Sequence, residues 1–130
     1  MTTFQNSVAS IVVNQTAGAV EIHWAQRPTS AEFREVLSKG LEIIQGNKLQ
    51  RWIGDVRQLG AILDEDQKWS NEVWFPKAIE AGIKRMAVVI ADDIFNQLSV
   101  EEIMSKVEAV DLTSHYFSAI EEAREWVAVK

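Results

Sequence analysis

The chain has 130 residues, of which 47% are hydrophobic and 25% charged, as in an ordinary globular domain with one core. Its net charge of −6 argues against binding to nucleic acid or to an anionic membrane surface. It contains no cysteine, which excludes disulfides and thiolate chemistry. No stretch has the length of a membrane span, and the N-terminus lacks the pattern of a signal peptide. We therefore expect one cytoplasmic domain over residues 1–130.

Two strands joined by a short turn are predicted near the start of the chain. Val8–Asn14 and Ala19–Ala25 are rich in strand-forming residues, and the turn between them contains Gly18, so we expect an antiparallel hairpin. In the second strand Glu21 and His23 alternate with apolar residues. This alternation predicts a strand near the sheet edge, with both polar side chains on a solvated face.

Four helices are predicted, each beginning with the spacing of a capping box. The first carries an apolar stripe between Phe33 and Ile44, as expected for a helix that packs on a sheet. The four pairs with this spacing are Thr29 with Glu32, Asp64 with Gln67, Ser99 with Glu102, and Ser118 with Glu121.

The stretch from Arg51 to Ala91 predicts a strand, a helix and a second strand. Within it, Met86–Ala91 is an unbroken apolar run, which is typical of a parallel strand covered on both faces. A further short strand is expected near Ala109–Thr113, so the predicted order is β-β-α-β-α-β-α-β-α. The residues that the central helix is expected to turn toward the sheet are Trp69, Val73, Pro76 and Ile79.

Several motifs accompany this order of elements. Asp-x-Arg, here Asp55 to Arg57, follows the third strand, and Trp-x-x-x-x-Trp-x-Pro, here Trp69 to Pro76, lies in the central helix. Tyr116-Phe117 precedes the last helix, and Glu-Ala-x-x-Trp lies within it, from Glu122 to Trp126. With the order of elements, these motifs resemble the SpoIIAA-like (STAS-like) proteins of bacteria, which have the STAS fold of anti-sigma-factor antagonists.

The resemblance implies a single-domain α/β sandwich with a mixed sheet and an N-terminal hairpin. It also implies a small cytoplasmic protein whose relatives bind partner proteins or apolar ligands. Regulatory STAS proteins carry a phosphorylatable serine at the start of the helix after the third strand. Here residues 55–66 contain no serine or threonine, and the nearest hydroxyl is Ser70. We therefore do not expect a kinase-operated switch of that kind.

Three carboxylates follow predicted parallel strands, where open α/β sheets bind ligands. Asp55, Asp92 and Asp93 could converge on a divalent cation, since such cations take oxygen ligands. The preferred interpretation is that Asp55 pairs with Arg57, while Asp92 and Asp93 begin a turn and cap backbone amides. No catalytic motif is present, so we expect no catalytic residue, no cofactor and no bound metal.

Five tryptophans are many for this length. Trp69 and Trp74 are five residues apart and cannot share one helix face, so Trp74 or Phe75 is left without a place in the core. The helix is then either covered on two sides or exposes an aromatic patch, which we expect to bind a second copy of the chain, another protein or a small apolar ligand. The leading hypothesis is a non-enzymatic protein-binding or regulatory module. One alternative is a carrier or sensor of a small apolar ligand, held in a pocket between the Trp69–Ala81 helix and the sheet. The other is a metal-dependent enzyme that uses Asp55, Asp92 and Asp93.

Overall fold

The computed structural model describes residues 2–107 and 112–129, which form one six-stranded mixed sheet covered by helices. The strands are β1 Thr2–Gln5, β2 Ala9–Asn14, β3 Ala19–Trp24, β4 Arg51–Asp55, β5 Arg85–Val89 and β6 Thr113–Phe117. The helices are α1 Ser30–Asn47, α2 Asp64–Trp69, α3 Phe75–Glu80, α4 Ile94–Ser105 and α5 Ile120–Ala128, and a π-helical segment, Ser70–Trp74, joins α2 to α3. The predicted α/β class is confirmed.

The strands lie in the sheet in the order in which they occur in the chain. β1, β2 and β3 pair antiparallel, and β3 to β6 pair parallel, so the predicted N-terminal hairpin is β2–β3. Right-handed crossovers between strands added on the same side place α1 to α4 on one face of the sheet. α5 follows the last strand and packs on the opposite face, against β4 and β5.

Two strand predictions need correction. β1 was not expected, because its four residues are too short to give a clear alternation. β3 lies between β2 and β4, so the prediction that it is near the sheet edge is wrong. Residues 109–111 of the strand expected near 109–113 lie outside the described residues, and β6 begins at Thr113.

The sheet is covered on both faces, as the apolar run in β5 predicts. Val88 and Val89 point to opposite faces, and both are buried. Val88 belongs to the larger core under α1 to α4. The smaller core under α5 includes Ile53, Ala87, Val89, Ala123 and Val127.

One of the predicted capping boxes is confirmed. Thr29 accepts a hydrogen bond from the Glu32 N–H, and the Glu32 carboxylate accepts one from the Thr29 N–H. The other helices begin elsewhere or have no side-chain cap: Asp93 caps α4, whereas Leu63 and Ala119 precede α2 and α5 without a capping bond. The residues wrongly expected as caps are Asp64, Ser99 and Ser118.

The predicted inward face of the central helix is wrong at Val73 and Pro76, whereas Trp69 does pack against the core. The Phe75 N–H donates to the Ser70 carbonyl, five residues earlier, so the helix contains a π turn that rotates the residues after it. Pro76 accounts for this widening, because it has no N–H and its ring crowds the carbonyl four residues before it. Trp74 and Phe75 consequently lie in the core, 3% and 6% exposed, while Val73 and Pro76 face outward.

Candidate functional sites

The predicted site residues lie in three separate places. One place is the carboxyl end of β4, the second is the turn before α4, and the third is the central helical segment. These places hold Asp55 with Arg57, Asp92 with Asp93, and Trp69 with Trp74 and Phe75, respectively.

Asp55 belongs to a chain of alternating charges on the α5 face. The Arg57 guanidinium donates to both Asp55 oxygens, at 2.9 and 2.7 Å. His23, the register partner of Asp55 on β3, has its Nδ1 3.4 Å from Asp55 Oδ2 and its Nε2 2.8 Å from Glu21 Oε1. At the far end, Arg124 of α5 donates two hydrogen bonds of 2.9 Å to Glu21. We call these five residues the charge network.

The protonation of the charge network follows from these contacts. Hydrogen bonds to Asp55 and Glu21 raise the pKa of His23 to about 9, so its imidazole is a cation at neutral pH. Burial raises the pKa of Glu21, but hydrogen bonds from His23, Arg124 and Asn14 outweigh it and lower this pKa to about 2. Burial likewise opposes ionisation of Asp55, yet hydrogen bonds from Arg57 and His23 hold its pKa well below the usual range.

Sequence reasoning missed most of this network. The prediction that Glu21 and His23 lie on a solvated face is wrong, because Glu21 is only 1% exposed and both side chains are engaged. Their spacing on one strand was a usable signal once β3 was known to pair with β4 beside Asp55. Nothing in the sequence connects them with Arg124, which is 103 residues away from Glu21.

The carboxylates do not form a cation site in the described part of the chain. Asp55 pairs with Arg57, and Asp93 accepts hydrogen bonds from the N–H groups of Phe95 and Asn96, so the preferred interpretation of these two residues is confirmed. Asp92 is exposed beside them. Within residues 2–107 and 112–129, no cluster of three or more His, Asp or Glu side chains is arranged as a metal site.

The aromatic residues separate into two environments. Trp74 and Phe75 line an apolar cavity of about 80 Å³ between the sheet and the helices on it. Trp69 is half-buried on another side, where it contacts Phe33 and lies under the Arg34 guanidinium. The expected exposed patch of Trp74 and Phe75 is therefore wrong, although these rings do border an internal space.

The only hydroxyl side chain of the central helical segment is also buried. Ser70 is 2% exposed, and its Oγ donates to the Asp66 carbonyl within the same helix. It therefore contributes no accessible hydroxyl to the surface.

An apolar patch is exposed at the start of α4. Ile94, Phe95 and Leu98 lie within about one helical turn and are each more than half exposed, Phe95 by 69%. Phe95 and Leu98 also line a groove of about 760 Å³ between α2 and α4. Leu63, just before α2, is 50% exposed next to other residues of this groove. We call these four residues the α4 patch.

The fold is that of a small α/β protein with one mixed sheet and helices on both of its faces. The model of the family described as SpoIIAA-like matches residues 19–128, and the chain therefore belongs to the SpoIIAA-like family. Membership indicates a regulatory, protein-binding STAS domain. The comparisons found no similar curated protein and no similar solved structure. No helix among the described residues is long and apolar enough to cross a membrane.

Proposed function

We propose that the chain is a non-enzymatic, cytoplasmic protein-binding module that recognises its partner through the α4 patch and operates without a phosphorylated serine. The main observation behind this proposal is that Ile94, Phe95 and Leu98 are exposed together at the start of α4. We take residues 1–130 as one domain, because β1 and β2 lie before the family match yet extend the same sheet.

The α4 patch has the character of a binding surface. Large apolar side chains clustered on a surface are unusual in a protein that acts alone, and a central aromatic ring is a common anchor in interfaces. The patch also borders a groove, so a partner side chain or helix could enter beside Phe95. Asp93 fixes this geometry, because its side chain caps the first turn of α4.

The surroundings of the patch indicate the charge of the partner. Asp92 and Asp93 directly precede the exposed residues, and Glu101 and Glu102 follow Leu98 on the same helix. The ion pair between Lys106 and Glu102 neutralises one of these acidic groups. A partner segment that combines apolar side chains with Lys or Arg would match both features.

The remaining carboxylate chemistry is better accounted for by structure than by catalysis. Both oxygens of Asp55 accept hydrogen bonds from Arg57, and Asp93 is occupied as a helix cap. Asp55 therefore presents no free oxygen to a substrate or a cation, and Asp93 is engaged through Oδ1 alone. Asp55 and Arg57 contribute to binding, in this proposal, by holding the loop that leads to α2.

The experiment places a photo-crosslinking residue at position 95 in cells, with position 129 as the matched control. Val129 is 57% exposed, at the end of α5 on the opposite face. The protein captured at position 95 is then purified, and its affinity is measured for wild type, Phe95→Ser and Val129→Ser. We expect at least a tenfold loss for Phe95→Ser and no change for Val129→Ser. An affinity that Phe95→Ser leaves unchanged would overturn the proposed surface.

The homodimer expected from the sequence stays a prediction, but its interface cannot be the one first expected. Trp74 and Phe75 are buried, so we expect two copies to meet, if they do, through the α4 patch. The acidic residues around the two α4 patches would then repel each other, so self-association should strengthen as the ionic strength rises. Binding to a basic partner should instead weaken, because salt screens the attraction. Sedimentation of wild type and Phe95→Ser at two salt concentrations separates the two cases.

A carrier or sensor of a small apolar ligand is the second candidate function. The observation that favours it is the cavity that Trp74 and Phe75 line, because it lies between the central helical segment and the sheet, where such a ligand was expected. The two candidates use different parts of the molecule and can be tested separately.

A further inference from the structure

The cavity exists because one strand residue has no side chain. Gly54 of β4 lies between Ile22 and Val88 in the sheet register, on the face covered by α1 to α4. All three residues line the cavity. Any other residue type at position 54 would direct its side chain into this space. A glycine inside a strand often marks a close approach of another group.

The indole of Trp52 gives the cavity a polar group beside Gly54, whereas the hydroxyl of Ser70, which also lines the cavity, donates to the Asp66 carbonyl. The six-membered ring of Trp52 packs against Gly40 of α1, so close that a Cβ at residue 40 would collide with Cη2. The opposite edge of the indole faces Gly54, where Nε1 lies 3.4 Å from the position of a Cβ at residue 54. The indole N–H is therefore at the boundary of the space that Gly54 leaves free.

This N–H has no acceptor among the described residues, and although Trp52 as a whole is only 4% exposed, the N–H is not fully enclosed by protein atoms. By contrast, the neighbouring Trp74 indole donates a 2.8 Å hydrogen bond to the Leu37 carbonyl. Trp52 and Trp74 are in edge contact, with ring centroids 4.9 Å apart. An N–H that borders an otherwise apolar cavity can fix the orientation of a bound molecule by donating a hydrogen bond to it.

We propose that this cavity binds a small neutral molecule, or the end of a larger one, that has an apolar body and a single hydrogen-bond acceptor directed at Trp52 Nε1. The inference rests on the second candidate function and is independent of the α4 patch. The apolar lining disfavours a charged group, since a charge buried without a partner is costly. A cavity of 150 Å³ holds benzene, so 80 Å³ suits about three to four non-hydrogen atoms.

The test uses propanone as a probe with an acceptor and xenon as an apolar probe without one. Both are titrated into isotope-labelled protein, while NMR follows the five tryptophan indole N–H signals and the methyl groups of Val88 and Ile103. We expect saturable shifts with both probes. Only propanone should move the Trp52 indole proton downfield, because only propanone accepts its hydrogen bond.

Three variants make the assignment specific. Gly54→Val fills the cavity and should abolish both titrations, with Gly54→Ala as the milder variant should valine prevent folding. Gly46→Ala, at a position where a Cβ meets nothing within 4 Å, is the matched control and should bind as wild type does. Trp52→Phe should weaken propanone about fivefold and leave xenon unchanged, since one neutral hydrogen bond is lost.

Several results would overturn the inference. The absence of any saturable shift in wild type would exclude the cavity as a binding site, as would titrations that persist in the Gly54 variants. Equal loss of both probes in Trp52→Phe would show that the indole only shapes the space. None of these results bears on Phe95, so the protein-binding proposal would stand or fall separately.

Discussion

The charge network predicts how the stability of the protein depends on pH. The pKa of His23 rises from 6.5 to about 9 on folding, because Asp55 and Glu21 stabilise the protonated ring. Stability from this source is fully present below about pH 6.5 and is lost as the pH rises through 9. Such a shift corresponds to at most about 3 kcal/mol. Since 28% of the side chain is exposed, we expect roughly 2 kcal/mol after screening by water.

The assay is urea unfolding of wild type and His23→Gln at pH values from about 5 to about 10. The free energy of unfolding of wild type should fall by roughly 2 kcal/mol above pH 6.5. His23→Gln should be less stable at pH 6 and should lack this fall. His115→Gln, which removes the other histidine from exposed β6, is the control and should keep it. Parallel profiles of wild type and His23→Gln would refute a charged imidazole in the folded state.

Four further changes test the packing and the sites. Gly40→Ala should destabilise by about 1–3 kcal/mol in urea unfolding, because its Cβ would collide with the Trp52 ring, whereas Gly46→Ala on the same helix should stabilise by up to about 1 kcal/mol. Val89→Asp should abolish cooperative thermal unfolding, since the residue is 0% exposed between the sheet and α5. Asn96→Ala should cost about 1–3 kcal/mol, because the Asn96 amide donates to the carbonyls of Val56 and Gly60, and only the Val56 carbonyl keeps another donor, the Leu59 N–H. Mg²⁺ should not raise the melting temperature, and a saturable rise that Asp55→Asn removes would revive the enzyme hypothesis.

The parts of the fold that were predictable are those encoded in local patterns. The apolar run in β5, the stripe on α1 and the capping box at Thr29 each depend on residues close together in the chain. Burial on both faces follows directly from the missing alternation in β5. The hairpin of β2 and β3 likewise needs only two strand patterns and a glycine turn.

The errors came from local signals that tertiary contacts overrode. Ser99 has the spacing of a cap, but in the structure its hydroxyl accepts from the Ile62 N–H and donates to the Asn96 carbonyl. Starting α4 at Ser99 assigned Ile94 to Leu98 to an irregular segment, which concealed the exposed apolar residues. Pro76 signalled a distorted helix, but its consequence for Trp74 depended on knowing that the distortion is a π turn.

The charge network could not be predicted, because it depends on the register between strands and on a helix from the end of the chain. Glu21 and His23 acquire their meaning only when β4 places Asp55 beside them. Arg124 then completes the chain from α5. These pairings join residues far apart in the chain, so neither composition nor periodicity predicts them.

The loop from Val56 to Gly60 joins all three features of the molecule. Arg57 ties it to the charge network, Val56 and Leu59 line the cavity, and Asn96 of α4 donates to the carbonyls of Val56 and Gly60. The loop contains no serine or threonine. A loop held from both faces of the sheet suits a fixed support for the α4 patch better than a segment that a kinase must reach. Control of such a module would then come from the supply of its partner, or from what occupies the cavity beneath Gly54.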